Sequence, residues 1–201
     1  AAEEITIVEN QLMKIGFTNK GGFPKYVELK NFKKYDSAGV VLGGEGHVIS
    51  YNVNTGTNQS ASTSQLNFTP SGIEKKGDAQ IIRFTSADST GKSIEHIFTV
   101  KDSDYLINWD VQLKGAGQLL TQGLLNINWD IVTHQQESDL KYEKGQSNIG
   151  YYEDGAYDFA AAGTGDNQKF GDKTKWIGVK QQFFNTSFLS ANGMSSAEAQ
   201  W

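Results

Sequence analysis

Residues 125–131 read LNINWDI, and apolar side chains alternate there with Asn and Asp. A period of two places Leu125, Ile127, Trp129 and Ile131 on one face of an extended segment and the polar side chains on the other. Antiparallel strands that pack on a core with one face and meet water with the other show this alternation. The stretch therefore predicts a half-buried antiparallel β-strand.

The same alternation recurs along most of the chain and makes strands the dominant element. It is strong at residues 107–113 and 13–17 and weaker at residues 5–8, 26–29, 81–84 and 94–100. Gly, Asn and Asp clusters between these runs are typical of hairpin turns. Helical signals are limited to one turn at residues 139–144 and a capping pattern at residues 195–199. Residues 52–69 and 145–173 look like loops, and the whole pattern predicts an all-β antiparallel sandwich.

Composition and charge narrow the class of protein further. The 201 residues include 11 Phe, 8 Tyr, 4 Trp and no Cys, and the net charge is −5. Aromatic content at this level argues against disorder, and the lack of Cys excludes a disulfide scaffold or a Cys-ligated zinc site. Nucleic-acid binding needs a basic surface, which the chain lacks. No run approaches the roughly 18 apolar residues that span a bilayer, so we expect either a soluble protein or a soluble piece of a longer one.

No residue pattern in the chain carries a recognisable catalytic or metal-binding signature. His47, His96 and His134 show no metal-ligand spacing. Adjacent acids such as Glu153 and Asp154 point to opposite faces of a strand and cannot flank a substrate by themselves. We therefore predict no catalytic residue, no metal and no cofactor. Among the aromatic residues, Trp109 and Trp129 are expected in the core, whereas those of residues 151–159 are better candidates for contact with a partner.

Three stretches carry a resemblance to a known family. They are TKWIGVKQQFFNTSFL at residues 174–189, FTNKGG at residues 17–22 followed by YVELKNF at residues 26–32, and EHIFTV at residues 95–100 followed by DYLINW at residues 104–109. In order and spacing they resemble the large periplasmic domain of the YidC/Oxa-type membrane protein insertases of Gram-negative bacteria. The match extends along almost the whole chain.

The resemblance implies a β-supersandwich related in shape to galactose mutarotase, with residues 1–201 as a single domain that lacks its C-terminal end. It implies a non-enzymatic, chaperone-like docking module on the periplasmic face of the inner membrane, which helps inner-membrane proteins to insert and fold. The implied partners are SecDF and the SecYEG translocon, with client proteins reached through the parent protein. We expect the contact surface to include Tyr151, Tyr152, Tyr157, Trp176, Gln181, Gln182 and Phe183.

Two other functions fit the same all-β pattern. A sugar-binding or mutarotase-like domain would need His96 or His134 to meet a carboxylate in a cleft, because epimerisation requires a general acid and a general base. A secreted adhesion sandwich would need no such chemistry. Fold analogy alone motivates the sugar-active alternative, and shape does not determine function.

Overall fold

The computed structural model describes residues 2–163 and 165–201, which divide into two compact units. Unit 1 holds residues 2–33 and Ala38–Val132, and unit 2 holds Lys34–Ser37 with the described part of Thr133–Trp201. The strands of unit 1 are β1 (Ile5–Glu9), β2 (Met13–Thr18), β3 (Phe23–Lys33), β4 (Gly39–Gly43), β5 (Val48–Gly56), β6 (Gln59–Ser62), β7 (Thr69–Pro70), β8 (Glu74–Lys76), β9 (Ala79–Ala87), β10 (Ser93–Lys101), β11 (Ile107–Lys114) and β12 (Ile127–Asp130). Its helical pieces are α1 (Ala116–Leu119) and two 3-10 turns, Thr63–Gln65 and Thr121–Gly123.

Antiparallel sheets make up unit 1. One has the strand order β1-β2-β3-β4, a second runs β11-β10-β9-β7 with β8 also on β9, and a third runs β12-β5-β6. The turn between β2 and β3 contains Gly21 and Gly22, whose φ angles of 82° and 62° lie in the left-handed region that glycine adopts without strain. This is the Gly-Gly hairpin that the sequence predicts.

The core of unit 1 forms where β2 packs against β9 and β10. On β10 every second residue is buried, as the alternation of its sequence requires. The ring of Phe17 on β2 lies 4.8 Å from that of Phe98 and 5.8 Å from that of Phe84. Trp109 on β11 stacks on Phe98 at 6.0 Å, but Trp109 and Trp129 are half-buried and lie outside the buried core in which they were predicted. Two sheets with interlocking apolar faces confirm the all-β sandwich class.

Unit 2 combines a short helix with two further antiparallel sheets. Its elements are α2 (Leu140–Gln146), β13 (Asn148–Glu153), β14 (Ala156–Ala161), β15 (Asn167–Phe170), β16 (Thr174–Lys180), β17 (Asn185–Met194) and β18 (Ala197–Gln200). The sheets have the orders β14-β13-β16-β17 and β15-β18. Asp139 accepts a hydrogen bond from the N–H of Tyr142 and caps α2, which confirms the predicted helical turn.

Three local predictions from the sequence were wrong. Residues 52–69 are not a loop, because β5 and β6 form a hairpin there despite their Asn, Ser and Thr content. Residues 145–173 contain the paired strands β13 and β14 and also β15. The capping pattern at residues 195–199 does not begin a helix: Ala197–Gln200 is strand β18, and its pairing with β15 outweighs the local helical signal.

The division into two units has no counterpart in the sequence pattern. No shift in composition marks Val132, the last residue of unit 1. The assignment of residues 1–201 to a single domain without its C-terminal end stays a prediction. Over residues 2–163 and 165–201, we find no helix that combines the length and the apolar character needed to cross a bilayer.

Candidate docking surface

An exposed aromatic surface covers one face of the larger sheet in unit 2. Tyr157 on β14 lies opposite Tyr152 on β13, which lies opposite Trp176 on β16, which lies opposite Leu189 on β17. Residues directly opposite each other in a sheet share a face, and so do residues two apart on a strand, which adds Phe159. We call these five residues the aromatic face.

The rings on the aromatic face stack on one another over Gly150. Tyr157 and Trp176 lie 5.8 Å apart with 25° between their planes, and Phe159 stacks on Tyr157 at 6.3 Å. A Cβ at Gly150 would lie 3.3 Å from Tyr157 Cε2 and 3.5 Å from Trp176 Cζ3. The bare backbone of β13 therefore leaves the room in which rings from the two flanking strands meet.

Exposure separates this surface from the packed aromatic residues of the chain. The exposed fractions are 54% for Tyr157 and 55% for both Phe159 and Leu189. Large apolar side chains that lie together at the surface commonly mark contact sites, whereas single ones need no explanation. Phe159 ends the stretch 151–159 whose aromatic residues the sequence favours for contact, but it was not among the seven contact residues predicted individually. Its position two residues after Tyr157 was the signal that could have found it.

Tyr151 points away from the aromatic face. It follows the other side of β13, opposite Ile177, and its ring packs 4.8 Å from that of the buried Phe170. Neighbours on a strand project to opposite faces, so Tyr151 and Tyr152 could not both belong to one surface. The structure therefore places Tyr151 in the packing of unit 2.

Gln181 and Gln182, which belong to the motif at residues 174–189, lie in the turn between β16 and β17. Gln181 is only 6% exposed, and its Nε2 donates to the carbonyl of His134 at 2.7 Å and to Glu143 Oε1 at 3.0 Å. Its backbone N–H closes the turn on the carbonyl of Phe184 at 2.7 Å. Gln181 is thus placed to hold the turn.

The same turn presents an aromatic side chain to solvent. Phe183 is 67% exposed, and Gln182 beside it is half-buried. A buried glutamine that anchors the turn limits the conformations open to Phe183, which lowers the entropic cost of using it in an interface. Of the predicted contact residues, Tyr152, Tyr157 and Trp176 share the aromatic face, and Phe183 is the most exposed.

The histidines do not form the acid and base site that a mutarotase would need. His96 is 1% exposed, and its ring nitrogens lie 2.8 Å from the Tyr51 hydroxyl and 2.7 Å from the carbonyl of Gly22. Burial lowers the pKa of His96 to about 4. Burial also lowers the pKa of His47, partly opposed by Asp130. His134, which is exposed, contributes its backbone carbonyl to the Gln181 anchor.

Comparison with known proteins identifies the family. A family model described as the YidC periplasmic domain matches residues 5–200. The chain belongs to the YidC periplasmic domain family. The resemblance carried by residues 17–32, 95–109 and 174–189 is thereby confirmed, together with the all-β architecture that it implies.

Relatives of the YidC periplasmic domain come from several bacteria and carry the name membrane protein insertase YidC. The one from Parabacteroides distasonis is 26% identical over 198 residues, which is 96% of this chain and 31% of the relative. That of Cytophaga hutchinsonii is 27% identical and covers 92% of the chain, and that of Bacteroides fragilis is 28% identical and covers 94%. The chain spans 30% of the length of each of these two relatives.

Proposed function

We propose that this chain is a non-catalytic docking module of a membrane protein insertase, exposed on the periplasmic face of the bacterial inner membrane. Membership of the YidC periplasmic domain family supports the proposal. The named insertases extend well beyond the matched segment, which is 31% of the Parabacteroides distasonis protein. In this proposal the remainder of the parent protein carries out insertion, and the present chain brings partners to it.

The aromatic face is the observation that carries the docking role. Tyr and Trp are enriched among the residues that dominate binding energy at protein interfaces, because each buries a large area with few rotatable bonds. Tyr157 and Trp176 are already stacked on each other, so a partner would meet a preformed surface. With Phe183 exposed on its anchored turn, unit 2 offers aromatic groups suited to a protein partner.

The proposed partners are SecDF and the SecYEG translocon, with inner-membrane proteins as clients of the parent protein. Contact of this chain with SecDF and SecYEG would bring the insertase close to a client protein that is leaving the translocon. The insertase would then assist the folding of that client protein. The absence of catalysis in this proposal is supported by the interior place of His96, which no substrate can reach without unfolding of the core.

A binding measurement with aromatic-face variants tests this proposal. SecYEG and SecDF are immobilised in lipid nanodiscs, and the affinity of the chain is compared with that of the double variant Tyr157→Ala, Phe159→Ala. Loss of central aromatic side chains commonly costs more than 2 kcal/mol, so we expect the dissociation constant to rise by about 30-fold or more.

Tyr142→Ala provides the matched control, because Tyr142 lies on α2 with 56% of its surface exposed. We expect this control to bind like the unaltered chain. Absence of binding by the unaltered chain would overturn the Sec partnership. Equal weakening by the control and the double variant would overturn the assignment of the aromatic face.

A further inference from the structure

The outward face of the third sheet in unit 1 is built from amide side chains. On β5, Tyr51 and Val53 are buried, and the intervening Asn52 and Asn54 project to the other face. Ile127 on β12 pairs with Tyr51, so Asn126, one residue earlier, projects to the same side as Asn52. These three Asn form the floor of what we call the amide cleft.

The segment before β12 supplies one wall of the amide cleft. Gln118 of α1 lines it, as do Thr121 and Leu124 of the adjoining turn. The hydroxyl of Thr121 donates to Asn54 Oδ1 at 3.3 Å, which joins the wall to the floor. The amide cleft is an open groove with a volume of about 580 Å³, large enough for a small ligand but open to solvent along one side.

The lining of the amide cleft is uncharged, and several of its side-chain amides are available to hydrogen-bond a ligand. Among the described residues that line it, none carries a charge, and the side chains of Asn52, Asn126 and Gln118 make no hydrogen bond to another described protein group. Each amide offers two N–H donors and an acceptor oxygen. Leu124, 53% exposed, adds one apolar patch.

This chemistry selects among ligand classes. A charged ligand would find no counter-charge in the lining, and a peptide with apolar side chains would find only Leu124 to receive them. Hydroxyl groups donate and accept at once, as amides do, so a polyol can pair with several cleft side chains together. We propose that the amide cleft binds a neutral oligosaccharide without chemical conversion. This proposal is independent of the docking role of unit 2.

Side-chain amide signals in NMR spectra provide a direct test, because each Asn of the floor reports its own contact. Maltotriose, cellotriose and triacetylchitotriose are titrated separately into the isotopically labelled chain. We expect at least one of them to give saturable shifts at the side chains of Asn52, Asn54 and Asn126, with a dissociation constant below about 10 mM.

Variants of the floor distinguish a site from general surface contact. Asn126→Ala should weaken binding by about three- to tenfold, as expected for the loss of one hydrogen-bonding side chain. The matched control is Asn128→Ala, since Asn128 lies on β12 and pairs with Ser50 outside the cleft. It should leave the affinity unchanged.

Three results would overturn the proposal. The first is the absence of saturable shifts with all three sugars. The second is equal weakening by the two variants. The third is equal or tighter binding of an uncharged Ser-Ala tetrapeptide at the same three Asn side chains, which would make the cleft a peptide site. Backbone spectra that overlay outside the cleft would show that the variants keep their fold.

Discussion

Among the buried ionisable side chains, His96 in unit 1 and Glu143 in unit 2 are kept in the interior in different ways. His96 in unit 1 and Glu143 in unit 2 are 1% and 2% exposed. Both are hydrogen-bonded, as buried polar groups almost always are. The partners differ in kind: His96 meets groups that suit its neutral ring, whereas Glu143 meets only N–H donors, which suit a carboxylate.

The neutral ring of His96 links three parts of unit 1. A backbone carbonyl can only accept, so Nδ1 carries the hydrogen that is donated to Gly22, and Nε2 accepts from the Tyr51 hydroxyl. The ring of Phe68 stacks on His96 at 4.7 Å. The turn before β3, strand β5 and strand β10 are thus held together by one uncharged group.

The carboxylate of Glu143 links three parts of unit 2. Each of its oxygens accepts from the N–H of Gln136 at 3.1 Å, Oε2 accepts from that of Glu137 at 3.3 Å, and Oε1 accepts from Gln181. Hydrogen bonds to an ionised group are stronger than neutral ones. In unit 2 a single side chain, Glu143, accepts all of these hydrogen bonds. In unit 1 two side chains, His96 and Tyr51, share the corresponding role.

Removal of the Glu143 carboxylate should give the largest effect. Glu143→Ala leaves the N–H groups of Gln136 and Glu137 without their acceptor and removes one of the two acceptors of Gln181 Nε2, so we expect a loss of about 4 kcal/mol from the free energy of unfolding. Urea unfolding with hydrogen exchange in unit 2 measures it. Glu137→Ala is the control, because only the backbone of Glu137 takes part; a similar loss in both variants would refute the anchor role.

Acid should weaken unit 1 through His96. Its pKa is about 4 in the folded protein and ordinarily 6.5, so between these values the unfolded chain binds more protons than the folded one. The stabilisation is complete above pH 6.5 and is lost as the pH falls towards 4, by about 3 kcal/mol in total. Urea midpoints across this range should fall less steeply for His96→Gln; an unchanged slope would contradict the assignment.

Loss of the Tyr51 hydroxyl should have the smallest effect of the three. Tyr51→Phe keeps the ring in the core but leaves Nε2 of His96 without a donor, at a cost of about 1–2 kcal/mol. Thermal unfolding of the variant measures it. Tyr152→Phe serves as the control, because Tyr152 is a half-buried member of the aromatic face, and it should change stability by less than about 0.5 kcal/mol. If Tyr51→Phe lost as much stability as Glu143→Ala, unit 1 would depend on a single hydrogen-bonding group as strongly as unit 2 does, which would contradict the comparison.

The sequence allowed the period-two strands to be predicted where several apolar residues in strict alternation marked the buried face. Residues 94–100 and 107–113 became β10 and β11 with nearly the predicted bounds. The hairpin of β5 and β6 was missed because its outward residues are Asn and Ser, which also dominate loops. Only the buried Tyr51 and Val53 reveal the strand, and two such residues give a weak signal.

The candidate surface was predictable in part. The placement of Tyr157 and Trp176 on one face depends on the pairing of three strands, which local sequence does not specify. The burial of Gln181 depends on Glu143, a residue distant in sequence, so the motif alone could not separate the anchoring glutamine from the exposed Phe183. Adjacency on a strand separates Tyr151 from Tyr152, but the sequence did not show this separation because residues 145–173 were predicted to be a loop.

The close packing of Gly150 against Tyr157 and Trp176 links the residue types that are possible at these three positions. A Cβ at Gly150 would lie 3.3 Å from Tyr157 and 3.5 Å from Trp176, so an alanine requires small shifts of these rings, and a larger side chain requires one of them to move aside or to be smaller. Substitutions across related domains should therefore be correlated at these three positions. A lineage that abandons the stacked pair would be free to replace the glycine.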